Sequence, residues 1–175
     1  TELSSNVVSL QEVLTDKRSR GAFGEVQLAG LVRNVMPAGS FSLQHTLSNG
    51  TRVDCLLTLP DPTGNVPIDA KFPLESFQAM LDETLAETDR ARAARQFRKD
   101  IRKHIRDIAD KYLIPGETAD GAVMFLPAEA VFAEIHAHFP DLVETAQRAR
   151  VWLVSPTTLM AVLTTARAVL KDEAT

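Results

Sequence analysis

The sequence has a single cysteine, Cys55, and no long apolar run. One cysteine excludes an internal disulfide, which is consistent with a reducing compartment such as the cytoplasm. No apolar stretch approaches the roughly 18 residues that a membrane-spanning helix needs, and the first residues lack the basic-then-apolar pattern of a secretion signal. This segment is therefore expected to be cytoplasmic and to make no contact with a membrane.

The sequence also lacks an initiator methionine, and it ends in the polar residues KDEAT. Its 175 residues are enough to bury one hydrophobic core. We therefore expect residues 1–175 to form a single domain that has been excised from a longer protein. There is no P-loop, dinucleotide-binding glycine fingerprint, zinc-ligand spacing or Gly-x-Ser-x-Gly motif, so the sequence does not support the common nucleotide, zinc or serine-hydrolase sites.

Basic residues are concentrated in one segment, although the net charge of the whole chain is −4. Residues 90–111 contain nine of the 19 lysines and arginines, offset by only three aspartates. Four arginines recur here at spacings of three and four, which places them on one side of a helix. Binding of a phosphate backbone would explain such a row of like charges, and a solvent-exposed helix face is the alternative. The residues predicted to bind nucleic acid are Arg95, Arg98, Lys99, Arg102, Lys103, Arg106 and Lys111.

The spacing of apolar residues predicts an α/β domain with a mixed central sheet and helices on both faces. Turn signals such as the Asn-Gly pair in SNG separate its first strands. The predicted elements, in order, are a helix at Val7–Val35, strands at Phe41–Leu47, Thr51–Leu59 and Val66–Phe72, a long helix at Leu74–Tyr112, a buried strand at Ala122–Pro127, helices at Ala128–His138 and Asp141–Ala149, a buried strand at Val151–Ser155, and a C-terminal helix from Pro156.

Two acids lie inside the apolar strands of the second hairpin. Asp54 is in the first strand, and Asp69 is in the second, two residues before Lys71. Because side chains alternate along a strand, Asp69 and Lys71 share a face. Pairing of Leu59 near Val66 would place Asp54 opposite Lys71 and diagonal to Asp69, whereas a slip of one residue would separate the acids onto opposite faces. On the favourable register, two carboxylates and an ammonium group converge.

Two close carboxylates repel each other, so one of them takes up a proton or the pair holds a cation. Their oxygens suit Mg²⁺ or Mn²⁺. Such an ion would polarise a phosphate and activate a water molecule, while Lys71 would position that water or stabilise the developing negative charge. The pattern therefore indicates hydrolysis of a phosphodiester bond. The simpler alternative is a surface ion pair between Asp69 and Lys71, since an acid two residues before a lysine arises about once by chance in a chain of this composition.

The order of these elements resembles the PD-(D/E)xK nuclease superfamily, which has the restriction-endonuclease-like fold. More closely, the chain resembles the RmuC family of DNA recombination proteins. The segments that carry this resemblance cover most of the chain from Gly21 onward and fall in the expected order. They are GAFGEVQL, FSLQHTLSNGTRVDCLLTLP, IDAKFPLESF, IRKHIRDIADKYL, AVMFLPAEAVF and VWLVSPTTLMAVL.

The resemblance implies roles for five residues. Asp54 and Asp69 correspond to the two metal-binding acids of the superfamily, and Lys71 corresponds to its catalytic lysine. Glu25, on the first helix, matches a helical acid that often completes the metal site. Without the resemblance, a solvated acid on an amphipathic helix would be the preferred interpretation of this residue. Gln44, on the first strand, matches an auxiliary polar position.

The resemblance also has one departure, because the proline that usually precedes the first aspartate is Val53 here. That proline is not a metal ligand, so its replacement makes the motif harder to recognise but leaves the residues that carry the chemistry in place. The family pattern implies an N-terminal anchor at the inner membrane and a coiled coil through which the full protein forms a homo-oligomer. The implied function is a Mg²⁺- or Mn²⁺-dependent DNA endonuclease acting in DNA recombination. The alternatives are a catalytically silent nuclease fold that binds DNA or scaffolds a coiled-coil assembly, and a platform for protein–protein contacts.

Overall fold

The structure, a computed structural model, describes residues 16–174. None of the helices in this range is long and apolar enough to cross a membrane. The elements, in chain order, are α1 (Lys17–Val35), β1 (Phe41–Thr46), β2 (Arg52–Leu57), β3 (Val66–Ala70), α2 (Leu74–Leu81), α3 (Glu87–Tyr112), β4 (Ala122–Phe125), α4 (Glu129–His138), α5 (Pro140–Arg148), β5 (Val151–Val154) and α6 (Pro156–Ala174).

The five strands form one mixed sheet in the order β1–β2–β3–β4–β5. The first three strands pair antiparallel, and the β3–β4 and β4–β5 pairs are parallel. Parallel pairs need crossover connections. Helices α2 and α3 connect β3 to β4, and α4 and α5 connect β4 to β5. The predicted α/β class and the mixed sheet are confirmed.

Helices cover both faces of the sheet, each over its own apolar cluster. On one face, residues of α1 and α6 such as Leu28 and Leu163 pack with Cys55 and Ile68 of the sheet. On the other face, residues of α2, α3, α4 and α5 pack with Leu56. We call these the α1 face and the α3 face. Successive strand residues point to opposite faces, so Leu56 lies in the cluster of the α3 face and Cys55 and Leu57 lie in that of the α1 face. Val53 also belongs to the α3 face, which shows that the alternation is interrupted at Asp54.

The predicted single helix at Leu74–Tyr112 is wrong, because this segment forms two helices. Helix α2 ends at Leu81 and α3 begins at Glu87. Between them, one carboxylate oxygen of Asp82 accepts hydrogen bonds from the backbone N–H and the hydroxyl of Thr84, at 2.9 and 2.6 Å. An aspartate that bonds the chain two residues further on forms a turn that competes with helix formation.

Helix α1 approaches the sheet closely at Gly24. A Cβ atom at this position would lie 3.4 Å from Ala70 Cβ and 3.4 Å from Pro127 Cγ. A side chain that extends beyond Cβ would therefore push α1 away from β3. The helix begins after Asp16, whose side chain accepts a backbone hydrogen bond from the first turn. The earlier part of the predicted helix lies outside the described residues.

The C-terminus of α3 is fastened to the β1–β2 turn. Asn49 Nδ2 and Thr51 Oγ1 donate hydrogen bonds to the carbonyl oxygen of Lys111, at 2.8 and 3.1 Å. The backbone N–H of Ser48 lies 3.0 Å from each carboxylate oxygen of Glu117 and donates to them. A helix leaves its last carbonyl groups without partners, and here the turn supplies donors. The contact fixes the end of α3 beside the start of β2.

Replacing Asn49 with alanine removes its bond to Lys111 and the two bonds that its Oδ1 atom accepts from Thr51. We expect the free energy of unfolding to fall by about 1–2 kcal/mol, because bonds of this kind each contribute about 1 kcal/mol. Urea denaturation followed by circular dichroism measures the change. Asn34→Ala, at an exposed position of α1, is the control and should change this free energy by less than about 0.5 kcal/mol. Equal effects of the two substitutions would contradict the fastening role.

Candidate active site

Asp54 and Asp69 face each other at the end of the β2–β3 ladder. Cys55 pairs with Ile68, so the next pair along the antiparallel strands is Asp54 with Asp69. The predicted register, with Asp54 opposite Lys71, is therefore wrong by two residues. A shift of two residues leaves every side chain on its predicted face, because the side-chain period of a strand is two. The two acids consequently meet more directly than the sequence suggested.

Both acids are buried, with exposed fractions of 9% for Asp54 and 4% for Asp69. Ile68 and Ala70, on either side of Asp69, belong to the cluster on the α1 face, so alternation directs Asp69 to the α3 face. The neighbours of Asp54 lie in opposite clusters, so the alternation of β2 is interrupted at Asp54, beside the left-handed residue Gln44. The carboxylate of Asp54 nevertheless lies close enough to act on the charge of Asp69. Two buried carboxylates are costly unless hydrogen bonds or opposite charges compensate them, so their partners determine what the site does.

Asp54 is held by two hydrogen bonds. Its Oδ2 atom accepts from the Ala70 N–H at 2.8 Å, and its Oδ1 atom accepts from Gln44 Nε2 at 3.4 Å. The first bond ties the acid to β3, and the second brings the predicted auxiliary residue Gln44 to the pair. Gln44 has φ 49°, a left-handed conformation that is uncommon for non-glycine residues and concentrates at functional sites. The backbone is therefore strained directly beside the acid.

The surroundings of Asp69 supply too little positive charge to neutralise both aspartates. Lys71 Nζ is 2.9 Å from its Oδ2 atom, in ion-pair contact, yet this buried oxygen receives no well-directed hydrogen bond. Burial and then the neighbouring Asp54 raise the pKa of Asp69 to about 6, and Lys71 offsets the rise only in part. One additional cation would compensate the pair.

This arrangement fits a divalent metal ion. The facing carboxylates, one with an oxygen that lacks a hydrogen bond, offer the hard oxygen ligands that Mg²⁺ and Mn²⁺ prefer. Mg²⁺ is commonly held by one or two carboxylates while water and substrate phosphate complete its coordination. Asp54 and Asp69 would be those protein ligands. Within residues 16–174, no group of three or more acidic, histidine or cysteine side chains is arranged to hold one ion.

Glu25 is exposed on α1. The preceding residue, Gly24, packs against Ala70, which follows Asp69 in β3. The role of Glu25 as a third metal ligand stays a prediction.

Two side chains of α3 that were not predicted as site residues face the acids or Lys71. Tyr112 is buried, and its hydroxyl donates to the Arg52 carbonyl oxygen at 3.1 Å. Burial and the charges of the two aspartates raise the pKa of Tyr112. Burial and then the charge of Lys71 lower the pKa of His104 to about 4, so that its imidazole is neutral at pH 7. Helix α3 therefore forms the second wall of the site.

The sequence contained a signal for Tyr112 but not for His104. Tyr112 ends a row of buried residues, including Ile101, Ile105 and Ile108, that packs against the α3 face. A polar group at the end of such a row meets the sheet and needs a polar partner there. The position of His104 near Lys71 depends on how α3 packs beside β3, which periodicity alone does not determine.

The predicted nucleic-acid-binding residues divide between different sides of α3. Arg98 and Arg102 both form ion pairs with Asp141 at the start of α5, the second at 3.2 Å. The Arg98 guanidinium also lies 4.9 Å from the centre of the Phe139 ring. These two arginines therefore help to dock α5 on α3. A cleft of about 250 Å³, lined partly by Arg102 and Arg106, runs between the two helices.

The other predicted basic residues are more available to an external anion. Lys103 forms a 3.2 Å ion pair with Asp107, one turn further along α3. The remaining four are exposed and have no ion-pair partner within the part of the chain that the structure describes. They are Arg95, Lys99, Arg106 and Lys111.

Comparison with known families identifies the family of the chain. The family model described as "RmuC family" matches residues 1–175. The chain belongs to the RmuC family. No solved structure matches it significantly.

Several curated RmuC relatives align along nearly the whole chain. A "DNA recombination protein RmuC homolog" of Xylella fastidiosa strain Temecula1 is 34% identical over 93% of this chain and 38% of its own length. The Vibrio cholerae protein of the same description is 31% identical, over 94% of this chain and 34% of its own. The "DNA recombination protein RmuC" of Escherichia coli K12 is 29% identical, over 94% and 36%. The chain thus spans roughly one third of the length of these relatives.

In the absence of divalent metal, Asp69 should make the stability of this RmuC domain depend on pH. Its pKa of about 6 in the folded state lies above the ordinary 3.8, so the folded state binds this proton more tightly than the unfolded state. Stability is therefore lost as the pH rises from about 4 to about 6. Asp69→Asn, which does not ionise, should raise the free energy of unfolding by about 1–3 kcal/mol near pH 8 and change it little near pH 4.

Urea denaturation in EDTA at the two pH values measures this difference. Asp120→Asn, which removes an exposed carboxylate, is the matched control and should leave the pH dependence unchanged. A stabilisation by Asp69→Asn that is the same near pH 4 and near pH 8 would show that Asp69 does not carry the excess negative charge.

Proposed function

We propose that this chain is the nuclease domain of a DNA recombination protein and that it hydrolyses phosphodiester bonds in DNA with Mg²⁺ or Mn²⁺. The observation that carries the proposal is the buried pair of facing acids, Asp54 and Asp69, with Lys71 2.9 Å from the second acid. The names of the relatives support the role in recombination. The chain spans only about one third of the length of those proteins, so the activity of a whole protein of this kind is part of the proposal.

The reaction follows from what each side chain is placed to do. A divalent ion between Asp54 and Asp69 would supply Lewis-acid polarisation of the phosphate and a water of lowered pKa. The hydrogen bonds from Ala70 and Gln44 hold the Asp54 carboxylate in one orientation, so little reorganisation accompanies the reaction. Lys71 donates hydrogen bonds from its ammonium group to the phosphate oxygens or the water and stabilises the negative charge that develops.

The route of the substrate is indicated by burial. The two aspartates are almost enclosed, whereas 27% of the Lys71 side chain is exposed. The scissile phosphate therefore approaches from the Lys71 side, where β3 ends and α3 passes. Arg95, Lys99 and Arg106, which carry no internal ion pair, would contact the DNA backbone further along the helix. Arg98 and Arg102 contribute less, since Asp141 already neutralises part of their charge.

A second candidate function is a catalytically silent nuclease fold that binds DNA. One observation favours it: both carboxylate oxygens of Asp54 already accept hydrogen bonds within the protein. An acid with that many internal partners is able to serve as a purely structural link between β1, β2 and β3. The two candidates differ in whether Mn²⁺ binds and whether cleavage follows.

Cleavage of supercoiled plasmid DNA in Mn²⁺ should depend on Asp69 and Lys71. We expect Asp69→Asn and Lys71→Ala each to lower the rate by on the order of 10²-fold or more, as for the loss of other groups that stabilise transition-state charge. Mn²⁺ should raise the melting temperature of the unmodified protein and not that of Asp69→Asn, since only the former would bind the ion. Gel analysis and differential scanning fluorimetry give the two readouts.

The matched control for this experiment is Asp120→Asn. It removes an exposed carboxylate that has no assigned role in the site, so the rate of cleavage should stay within about twofold of the unmodified protein. Cleavage that persists in both Asp69→Asn and Lys71→Ala would indicate a contaminating nuclease. DNA binding and an Mn²⁺-independent melting temperature, with no cleavage, would favour the silent fold.

Binding of DNA should distinguish the exposed basic residues from the paired ones. Arg106→Gln should weaken binding and reduce the slope of log affinity against log salt concentration by about 0.7–0.9, the value for one lost phosphate contact. Arg98→Gln should change that slope little and lower the free energy of unfolding by about 0.5–1 kcal/mol, since it loses its contacts with Asp141 and Phe139. Fluorescence anisotropy in EDTA at several salt concentrations, with urea denaturation, measures both. Equal salt slopes for the two variants would contradict this division.

A further inference from the structure

Three lysines surround one carboxylate next to the aspartate pair. On α3, Lys103 and Lys111 lie four residues before and after Asp107, which places the three side chains on one side of the helix. Lys103 Nζ is 3.2 Å from Asp107 Oδ2. Lys71, at the end of β3, is close enough for its charge to act on the same carboxylate. Partial burial acts to raise the pKa of Asp107, but the hydrogen bond from Lys103 and the charges of the three lysines outweigh it and lower that pKa.

This lysine cluster lies on a different side of α3 from the arginine row. An α-helix turns by about 100° per residue, so Lys103 and the adjacent Arg102 point in clearly different directions. Arg102 is directed to Asp141 on α5, whereas Asp107 lies within electrostatic reach of Lys71. The lysine cluster therefore borders the aspartate pair, and the arginine row does not.

We propose that Lys71, Lys103 and Lys111 form a binding subsite for a DNA backbone phosphate beside the aspartate pair, and that Asp107 occupies this subsite until the phosphate enters. The subsite extends the proposed nuclease function, since the phosphate it binds would neighbour the scissile one. A carboxylate and a phosphate are both anionic oxygen acceptors, so each satisfies the same ammonium donors. Lys71 is already paired with Asp69, so Lys103 and Lys111 leave one positive charge in excess of Asp107 for the phosphate.

The exposure of the cluster is consistent with exchange between the two anions. The exposed fraction is 71% for the Lys103 side chain, 30% for Asp107 and 27% for Lys71. A phosphate is therefore able to reach all three residues from solvent without unfolding of the helix. Asp107 makes the subsite selective, because an anion must compete with a carboxylate that the chain holds permanently nearby.

The test is the affinity of the protein for a short fluorescent single-stranded oligonucleotide, measured by anisotropy in EDTA so that no cleavage occurs. Asp107→Asn should tighten binding by about three- to tenfold at low salt and steepen the salt slope by about 0.7, because one more phosphate is engaged. The gain should disappear in Asp107→Asn combined with Lys111→Gln. Inorganic phosphate should compete only weakly, which separates a polymer phosphate from free phosphate as the source.

The control variant is Asp110→Asn, which removes the same charge from the next turn of α3 but on a different side, toward Arg106. Tightening by Asp110→Asn as large as that by Asp107→Asn would overturn the subsite and indicate a general charge effect. Unchanged binding in Asp107→Asn would overturn the subsite too.

The subsite and the nuclease proposal can fail separately. If Asp107→Asn tightens binding while Mn²⁺-dependent cleavage is absent, the subsite stands and the nuclease proposal fails. If cleavage occurs and Asp107→Asn binds as the unmodified protein does, only the subsite fails.

Discussion

The pairing of β2 with β3 is the constraint on which the candidate site depends. It sets Asp54 and Asp69 opposite each other on one face of the sheet, and the backbone N–H of Ala70 then holds the first acid at 2.8 Å. Two neighbouring carboxylates that are both buried are unfavourable unless positive charge is supplied beside them. Lys71 supplies part of it, and the raised pKa of Asp69 measures how much is still missing. The proposed binding of a divalent ion would therefore be a consequence of strand pairing.

Helix α3 connects this acid pair to the basic surface of the molecule. Its buried row packs on the sheet and ends in Tyr112, beside the aspartates, while its C-terminus is bonded to the β1–β2 turn through Asn49 and Thr51. The helix is therefore fixed relative to the acids at one end. Arg98 and Arg102 on one side of α3 bind α5 through Asp141, and Lys103 and Lys111 lie on the side of Lys71. One helix therefore carries two groups of basic residues with different roles. That division explains why a row of like charges is tolerated on one helix, since Asp141 and Asp107 each compensate a different side.

Much of the local structure was predictable because it depends on short-range chemistry. The alternation of apolar residues identified the strands, and their order predicted the mixed sheet. The break between α2 and α3 was missed, although Asp82 and Thr84 are a recognisable turn pair, because the apolar spacing continues across it. The register of β2 and β3 was wrong by two residues for a similar reason: the loop between them contains several turn residues, and periodicity does not say which of them closes the hairpin.

The sequence by itself determined that Asp69 and Lys71 share one face of β3, because alternation along a strand is a property of the local backbone and survives a shift of two residues. Only the tertiary structure decided which helix faces them. It placed α1 over the α1 face, and it brought Tyr112 of α3 to the acids and His104 and Asp107 to Lys71. It also paired Arg98 and Arg102 with Asp141. Such choices arise when several elements compete to bury their apolar faces on one sheet, and that competition depends on contacts between residues far apart in the chain.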